Sequence, residues 1–415
     1  MLILVAQLSC TLAYSAETKQ GNSLVQELKI TASDAAENSS FGQSVSLDGN
    51  RAVIGSRGQV YVFEFSNDAW QQTAIISNND ANIDAFGSSI SLDENRIIIA
   101  DVADNGSRGA VYVFELSNGS WMQTAKLTSD DANFLDQFGW SICLDGDRAL
   151  ISAHYNDAVD DNGSVIGHDE GAAYVFDFQN GSWHQTAKLM ANDASFDDRF
   201  GESVSLYRNR AIIGANGANT NSQNDAGTAY VFELRNNSWQ QIDQLVVNVP
   251  TTDDFFGGSV DIYKDWVIVA ASNNPNNGTT SGIVYVYKYF AAGDRWVHEK
   301  SIWPADGRNA DQFGKSVSMQ ENLVLIGAST YEPSLIFADQ NKGKAVLYDI
   351  SLPGDGVIKL NTFEADDATR QSFLGESVSL SGHRGLVGAP GADGGLHIGA
   401  AYTFEQIEVF KNSFE

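Results

Sequence analysis

The sequence predicts an all-β chain folded as a seven-bladed β-propeller of four-stranded antiparallel blades, with the last blade closed by the N-terminal strand. Three observations carry this expectation. A Phe-Gly motif recurs along the chain, each copy leads into the same four short strand patterns, and one extra fourth-strand pattern stands before the first copy.

The motifs are Phe41-Gly42, Phe86-Gly87, Phe138-Gly139, Phe200-Gly201, Phe256-Gly257, Phe313-Gly314 and a variant, Phe373-Leu374-Gly375. They stand about 55 residues apart, a period that marks repeat architectures. A Ser follows each Gly two positions on, from Ser44 to Ser377. The first strand alternates, as in Ser44-Val45-Ser46-Leu47, and ends in a tight turn such as Asp48-Gly49-Asn50. Asp-Gly between alternating runs signals a hairpin, because both residues tolerate positive φ. The second strand is more apolar, as in Arg210-Ala211-Ile212-Ile213, and ends on a small residue that suits crowding near a central channel. The third is aromatic, as in Tyr174-Val175-Phe176, and an Asn-Gly type turn leads to a fourth that opens on Trp70, Trp121, Trp183, Trp239 or Trp296.

A single four-stranded blade has two apolar faces and cannot stand alone, so packing blade on blade buries both. The ends of the chain support ring closure. Leu24-Val25-Gln26-Glu27-Leu28-Lys29-Ile30 follows the pattern of the fourth strand Trp121–Leu127, while no full fourth strand follows Tyr402-Thr403-Phe404. Closure removes the open sheet edges that would otherwise invite aggregation.

Composition narrows the function classes. The 415 residues carry 53 Asp+Glu against 25 Lys+Arg, a formal net charge of −28, with 43% hydrophobic residues. That is enough apolar content for a core. So negative a surface repels phosphate backbones, and a nucleic-acid partner is not expected. Two Cys cannot build a disulfide-dense scaffold, and Cys143 reads as inert packing. Residues 2–9 are apolar, and with the small residues Ala13 and Ser15 they read as a secretory signal over 1–16. The run is too short to span a bilayer, so no transmembrane segment is expected. The propeller then covers 17–405 and a short tail 406–415. The expected location is exported, whether secreted, periplasmic or at the cell surface, and the expected state is a monomer.

The Phe-Gly … Gly-Ala-Pro grammar, whose full ending stands at Gly388-Ala389-Pro390, resembles the FG-GAP repeats of integrin α-chain propellers and their exported bacterial relatives. The resemblance covers roughly residues 23–405. It implies an extracellular binding or adhesion platform, often with calcium in blade loops. Kelch propellers also place an aromatic strand ahead of a Trp, but their Gly-Gly doublet after strand two is missing here. A WD-repeat propeller is excluded by the absence of any Trp-Asp dipeptide.

Meander geometry sorts the connections onto two faces. Turns between strands one and two and between three and four are tight and repetitive. Loops between strands two and three, and from strand four to the next blade, share the opposite face and vary in length, from Gly55–Tyr61 to Ser152–Tyr174. Variable loops on a rigid scaffold are where binding concentrates. The same face gathers acid, with Asp84, Asp136, Asp198, Asp254 and Asp311 each two before a Phe. These read either as a ring of cation-binding carboxylates or as Asx turns holding the loops.

The resemblance implies a calcium loop of the form Asp-x-Asp-x-Asp-Gly, which needs closely spaced oxygens. Its nearest counterpart is Asp157-Ala158-Val159-Asp160-Asp161-Asn162-Gly163, which leaves Asp157, Asp160 and Asn162 as the candidate metal ligands for Ca²⁺. His154 and His168 flank it and read as polar loop residues. No catalytic residue emerges. Gly-x-Ser recurs seven times but lacks the second Gly of a nucleophile elbow. The five Trp that open fourth strands read as blade packing, whereas Trp140, which follows Phe138-Gly139, stands out as a ligand-site candidate alongside local packing. The function expected is an exported, non-enzymatic binding or adhesion module that recognises a protein or glycan through its acidic variable-loop face. The alternative is a propeller-fold polysaccharide hydrolase or lyase, which would need a close carboxylate pair.

Overall fold

The computed structural model describes residues 25–78, 85–157, 168–220, 223–275, 281–307, 310–331, 341–368, 371–392 and 396–406. Within them the strands form seven sheets of four, each an antiparallel meander. Blade 1 consists of Ser44–Asp48, Arg51–Ser56, Gln59–Ser66 and Ala69–Ser77. Blade 7 consists of Val378–Ser381, Arg384–Ala389 and Ala400–Gln406, completed by Val25–Ile30. That last strand pairs antiparallel with Ala400–Gln406, setting Leu28 opposite Thr403 and Ile30 opposite Ala401. Each first strand packs beside the first strands of both neighbouring blades, and the ring closes between blades 7 and 1.

The burial of each strand follows from its place in the blade. The second strands are buried along their whole length after the opening residue, in all seven blades. They sit between two strands and beneath both neighbouring blades, which is why Val, Ile, Leu and Ala dominate them, with Gly or Ser near their ends. The fourth strand of blade 3, Ser182–Leu189, alternates exposed and half-buried residues because one face meets water at the rim. The core therefore lies between blades. Phe138, Ile151 and Tyr174 of blade 3 pack with Ile98, Val111 and Val113 of blade 2.

The Phe of each Phe-Gly motif anchors this packing. Phe138 is fully buried and meets Tyr174 and Phe176 edge-on at 5.6 and 5.9 Å, a favourable aromatic geometry. The Gly that follows adopts φ near +100° in Gly201, and a Cβ there would lie 2.8 Å from Ser152 Cβ. Only Gly accepts both conditions. A second recurring Gly stands three residues before each third-strand Tyr, as in Gly109, Gly171 and Gly227. A Cβ on Gly109 would lie 2.0 Å from the Phe138 carbonyl oxygen. This close approach lets the residues before one blade's third strand pair with the motif of the next: Arg108 and Glu170 accept the N–H of Phe138 and Phe200.

The seventh motif is corrected by one residue. Leu374, not Phe373, fills the buried place of the Phe and bridges to Gly343 as Phe256 does to Gly227. Phe373 takes the left-handed position, φ 54°, that Gln137 and Arg199 hold before their motifs.

Around the channel the first strands are laced by a ring of hydrogen bonds. The hydroxyls of Ser46, Ser91, Ser205, Ser318 and Ser379 accept the N–H of Leu92, Leu144, Ile262, Leu380 and Leu47 in the next blade. The Cys143 sulfur and the Asp261 carboxylate do the same for Leu206 and Met319. Seven side chains at one register thus tie seven blades, and the Ser379–Leu47 bond closes the circle.

Candidate functional site

The two faces of the ring are built differently. On the turn face, the Arg that opens a second strand reaches into the next blade. Arg96 pairs with Glu115 at 2.9 Å, donates to the Gly146 carbonyl and Asp147, and stacks over Trp183 at 5.1 Å from the ring centre. Arg51, Arg148, Arg210 and Arg384 stack likewise over Trp121, Trp239, Trp296 and Trp70. All five fourth-strand Trp are therefore consumed in blade-to-blade packing, as their repetition implied. In blades 5 and 6 the second strand opens on Trp266 and Leu323 instead, and the fourth strands of the blades that follow carry no Trp.

On the loop face, much of the recurrent acid is also consumed. Asp136, Asp198, Asp254 and Asp311 are all buried. Asp136 accepts the Asn133 N–H at 2.8 Å and the Asn156 amide at 3.0 Å, while Asp198 and Asp254 accept the N–H of Ser195 and Thr251. Each of these carboxylates holds its loop ahead of the motif by reaching back three residues, and not forward two as an Asx turn would. Burial pushes Asp198 up to about 6. Asp84 lies outside the described residues.

A second acidic series receives the third-strand Tyr hydroxyls. Tyr61, Tyr174, Tyr230 and Tyr402 donate to Asp34, Asp131, Asp193 and Asp367, each from the loop entering the blade. Lys188 and Lys29 add ion pairs to Asp131 and Asp367. In blade 2, Asp104 takes the Tyr112 hydroxyl and Lys126 from the loop after strand two. In blade 6, Asp306 pairs with buried Lys344 at 3.0 Å. Blade 5 departs from the scheme, because Val249 stands where the Asp belongs and Ser301 lies opposite Tyr285 where Lys188 lies opposite Tyr174.

Of the calcium-loop candidates, Asp157 alone lies within the described residues. Asp157 accepts the Asp169 N–H at 3.0 Å and stands 3.7 Å from His168 Nδ1. Asp160 and Asn162 lie outside the described residues. Among the described residues, no group of three or more His, Cys, Asp or Glu could hold a metal ion. Cys143 is held as packing, with its thiol pushed up to about 12 by burial.

Trp140 behaves differently from the repeated Trp. It is 40% exposed, and its ring stacks on His154 with centroids 4.1 Å apart. His154 is 1% exposed and lies 3.8 Å from the Tyr155 ring. Burial, with the nearby Arg199 charge, holds the imidazole neutral by lowering its pKa to about 3. The loops entering blades 3 and 4 carry Phe134 and Phe196, both more than 60% exposed, at the same place before their motifs. Exposed large aromatics are informative on a chain this acidic. The sequence reading missed both Phe, since each looked like another apolar residue ahead of Phe-Gly.

A cleft of about 720 Å³ lies beside Asp101, Asp104, Arg108, Lys126 and Asp130. Asp101 replaces a Ser or Ala at the end of strand two and is pushed up to about 6 by burial. Its neighbour Asp104 is already committed to Tyr112 and Lys126. Among the described residues, no helix is long and apolar enough to cross a membrane.

Against known proteins, the family described as FG-GAP repeat matches residues 24–63, 70–114, 121–176, 183–232, 239–287, 296–348 and 359–404. No curated protein matches the chain.

Proposed function

The chain belongs to the FG-GAP repeat family, and on that premise we propose that it is an exported, non-enzymatic binding module that recognises a protein or glycan through its variable-loop face. The observation that carries this reading is the contrast between the faces. On the turn face the five fourth-strand Trp are spent on Arg stacking and Phe290 is left exposed, while Phe134, Trp140, Phe196 and Trp303 stand exposed on loop-side segments. Trp140 already stacks on buried His154, so ordering it on binding costs little. The enzyme alternative finds less support, since Asp104 in the cleft beside Asp101 already serves Tyr112 and Lys126.

Protein and glycan arrays probed with the full chain test this. A bound partner should be lost with Trp140→Ala and retained with Asn118→Ala on the turn face. Retention by the first variant and loss by the second would overturn the assignment of faces.

A calcium ion in the 157–163 loop is a separate part of the proposal and rests on the family resemblance alone. Titration of Ca²⁺ into EDTA-treated protein should give binding heat, and its absence would remove the ion from the account.

A further inference from the structure

We infer that blade 5 holds a pocket for a single neutral sugar ring, formed where that blade has lost its Tyr–Asp–Lys arrangement. This rests on the reading of the chain as a binding module and names the ligand class for one place on its loop face.

In blades 1, 3, 4 and 7 the fourth residue after the preceding fourth strand receives the third-strand Tyr hydroxyl, and in blade 6, where Val346 stands in place of the Tyr, it pairs with Lys344. That residue is Asp34, Asp131, Asp193, Asp306 or Asp367 in five blades, and Val249 in blade 5. Val249 is 76% exposed and cannot receive the Tyr285 hydroxyl. Tyr285 is itself only 7% exposed, and no described residue accepts a hydrogen bond from it. Ser301, opposite it, is too short to fill the space of a Lys and instead meets His298 Nε2 at 3.0 Å. The result is a pocket of about 310 Å³ walled by Tyr285, Tyr287 and His298, with Asn248 and Thr251 at its edge.

The walls name the ligand. None of the lining residues is Asp, Glu, Lys or Arg, on a chain of net charge −28. An anion would meet the field of nearby Asp254, and a cation would find no carboxylate on the walls, since Asp254 is fully buried and held by Thr251. A purely apolar ligand would cover the Tyr285 hydroxyl and leave it unpaired, a desolvation cost without return. A pyranose ring satisfies both conditions: its C–H face packs on the aromatic rings, and its hydroxyls pair with tyrosine, amide and hydroxyl groups. The volume is at the small end for ligand sites, which suits one ring and not an extended chain.

The test uses the full chain on an array of neutral oligosaccharides, with free glucose, galactose, mannose and N-acetylglucosamine as competitors. Val249→Asp restores the carboxylate that other blades carry, so the variant should fold with a thermal midpoint at or above that of the parent. The inference expects a neutral oligosaccharide to bind, a free hexose to compete, Val249→Asp to weaken binding at least tenfold, and Tyr285→Phe to weaken it several-fold. Neutral-glycan binding unchanged in both variants overturns the pocket and leaves the binding-module reading standing. So does binding to proteins or charged glycans alone. Binding to nothing on either the protein or the glycan array overturns both readings.

Discussion

The guanidinium of Arg96 lies 5.1 Å from the ring centre of Trp183, although the two belong to different blades. The same contact recurs at four other interfaces, and where the Arg is lost from one blade the Trp is lost from the next. The pair therefore acts as a unit of ring assembly. Arg96→Ala should lower stability by about 1–2 kcal/mol, through the lost stacking and the lost hydrogen bonds to Glu115 and Gly146. A double-mutant cycle with Trp183→Ala, read by urea midpoints, should show clear coupling between them. Strict additivity would contradict it.

Ring closure makes a sharper demand. Val25–Ile30 supplies the outer strand of blade 7 and pairs with Ala400–Gln406 along its length. Its removal exposes that strand edge and the core residues, such as Phe41 and Ala401, that Ile30 packs with. The deletion should lower the thermal midpoint by 10 °C or more, roughly the shift that several kcal/mol produces. A midpoint equal to that of the full chain would contradict closure by this strand.

Glycine at the blade junction offers a matched comparison. Gly109 and Gly119 both have positive φ, at +84° and +78°. A Cβ on Gly109 meets the Phe138 carbonyl at 2.0 Å, while one on Gly119 meets nothing within 4 Å. Gly119→Ala should cost about 1 kcal/mol, the backbone term alone. Gly109→Ala should cost clearly more, because the inter-blade pairing must shift. Equal losses in denaturant titrations would show that the close approach carries no weight.

Asp261 predicts a pH dependence. It replaces the Ser of the channel ring, accepts the N–H groups of Met319 and Ile262, and is pushed up to about 6 by burial. A carboxyl whose pKa is raised in the folded state favours folding when protonated. Its contribution is therefore present below pH 4 and lost as pH rises through about 6. Asp261 is only half-buried, which moderates the effect. Asp261→Ser should raise stability at pH 7 by about 1 kcal/mol and flatten the slope of stability between pH 4 and 6. An unchanged slope would contradict the assignment.

The blades were legible because their signals are local and repeated. Alternation in Ser44–Leu47, the Asp48-Gly49 turn and the aromatic third strands each follow from nearest-neighbour geometry. Leu374 was harder, since Phe373 beside it mimics the motif while occupying the left-handed position. The Gly three before each third-strand Tyr was visible in the sequence, but its meaning depends on an approach to the next blade. The site was less legible still. Whether Asp131 is a free carboxylate or the acceptor of Tyr174 depends on where a loop returns over a strand some forty residues away, which spacing alone does not give. The gap at Val249 had no signal of its own until that pairing was known.

Hydrogen exchange on the full chain, with and without a partner found on the arrays, tests the central claim most directly. The account predicts that protection appears in loop-face segments, such as 132–140, 194–199 and 246–251, while the Arg–Trp turns around Gly119 and Gly146 are unchanged. Protection confined to those turns would contradict it.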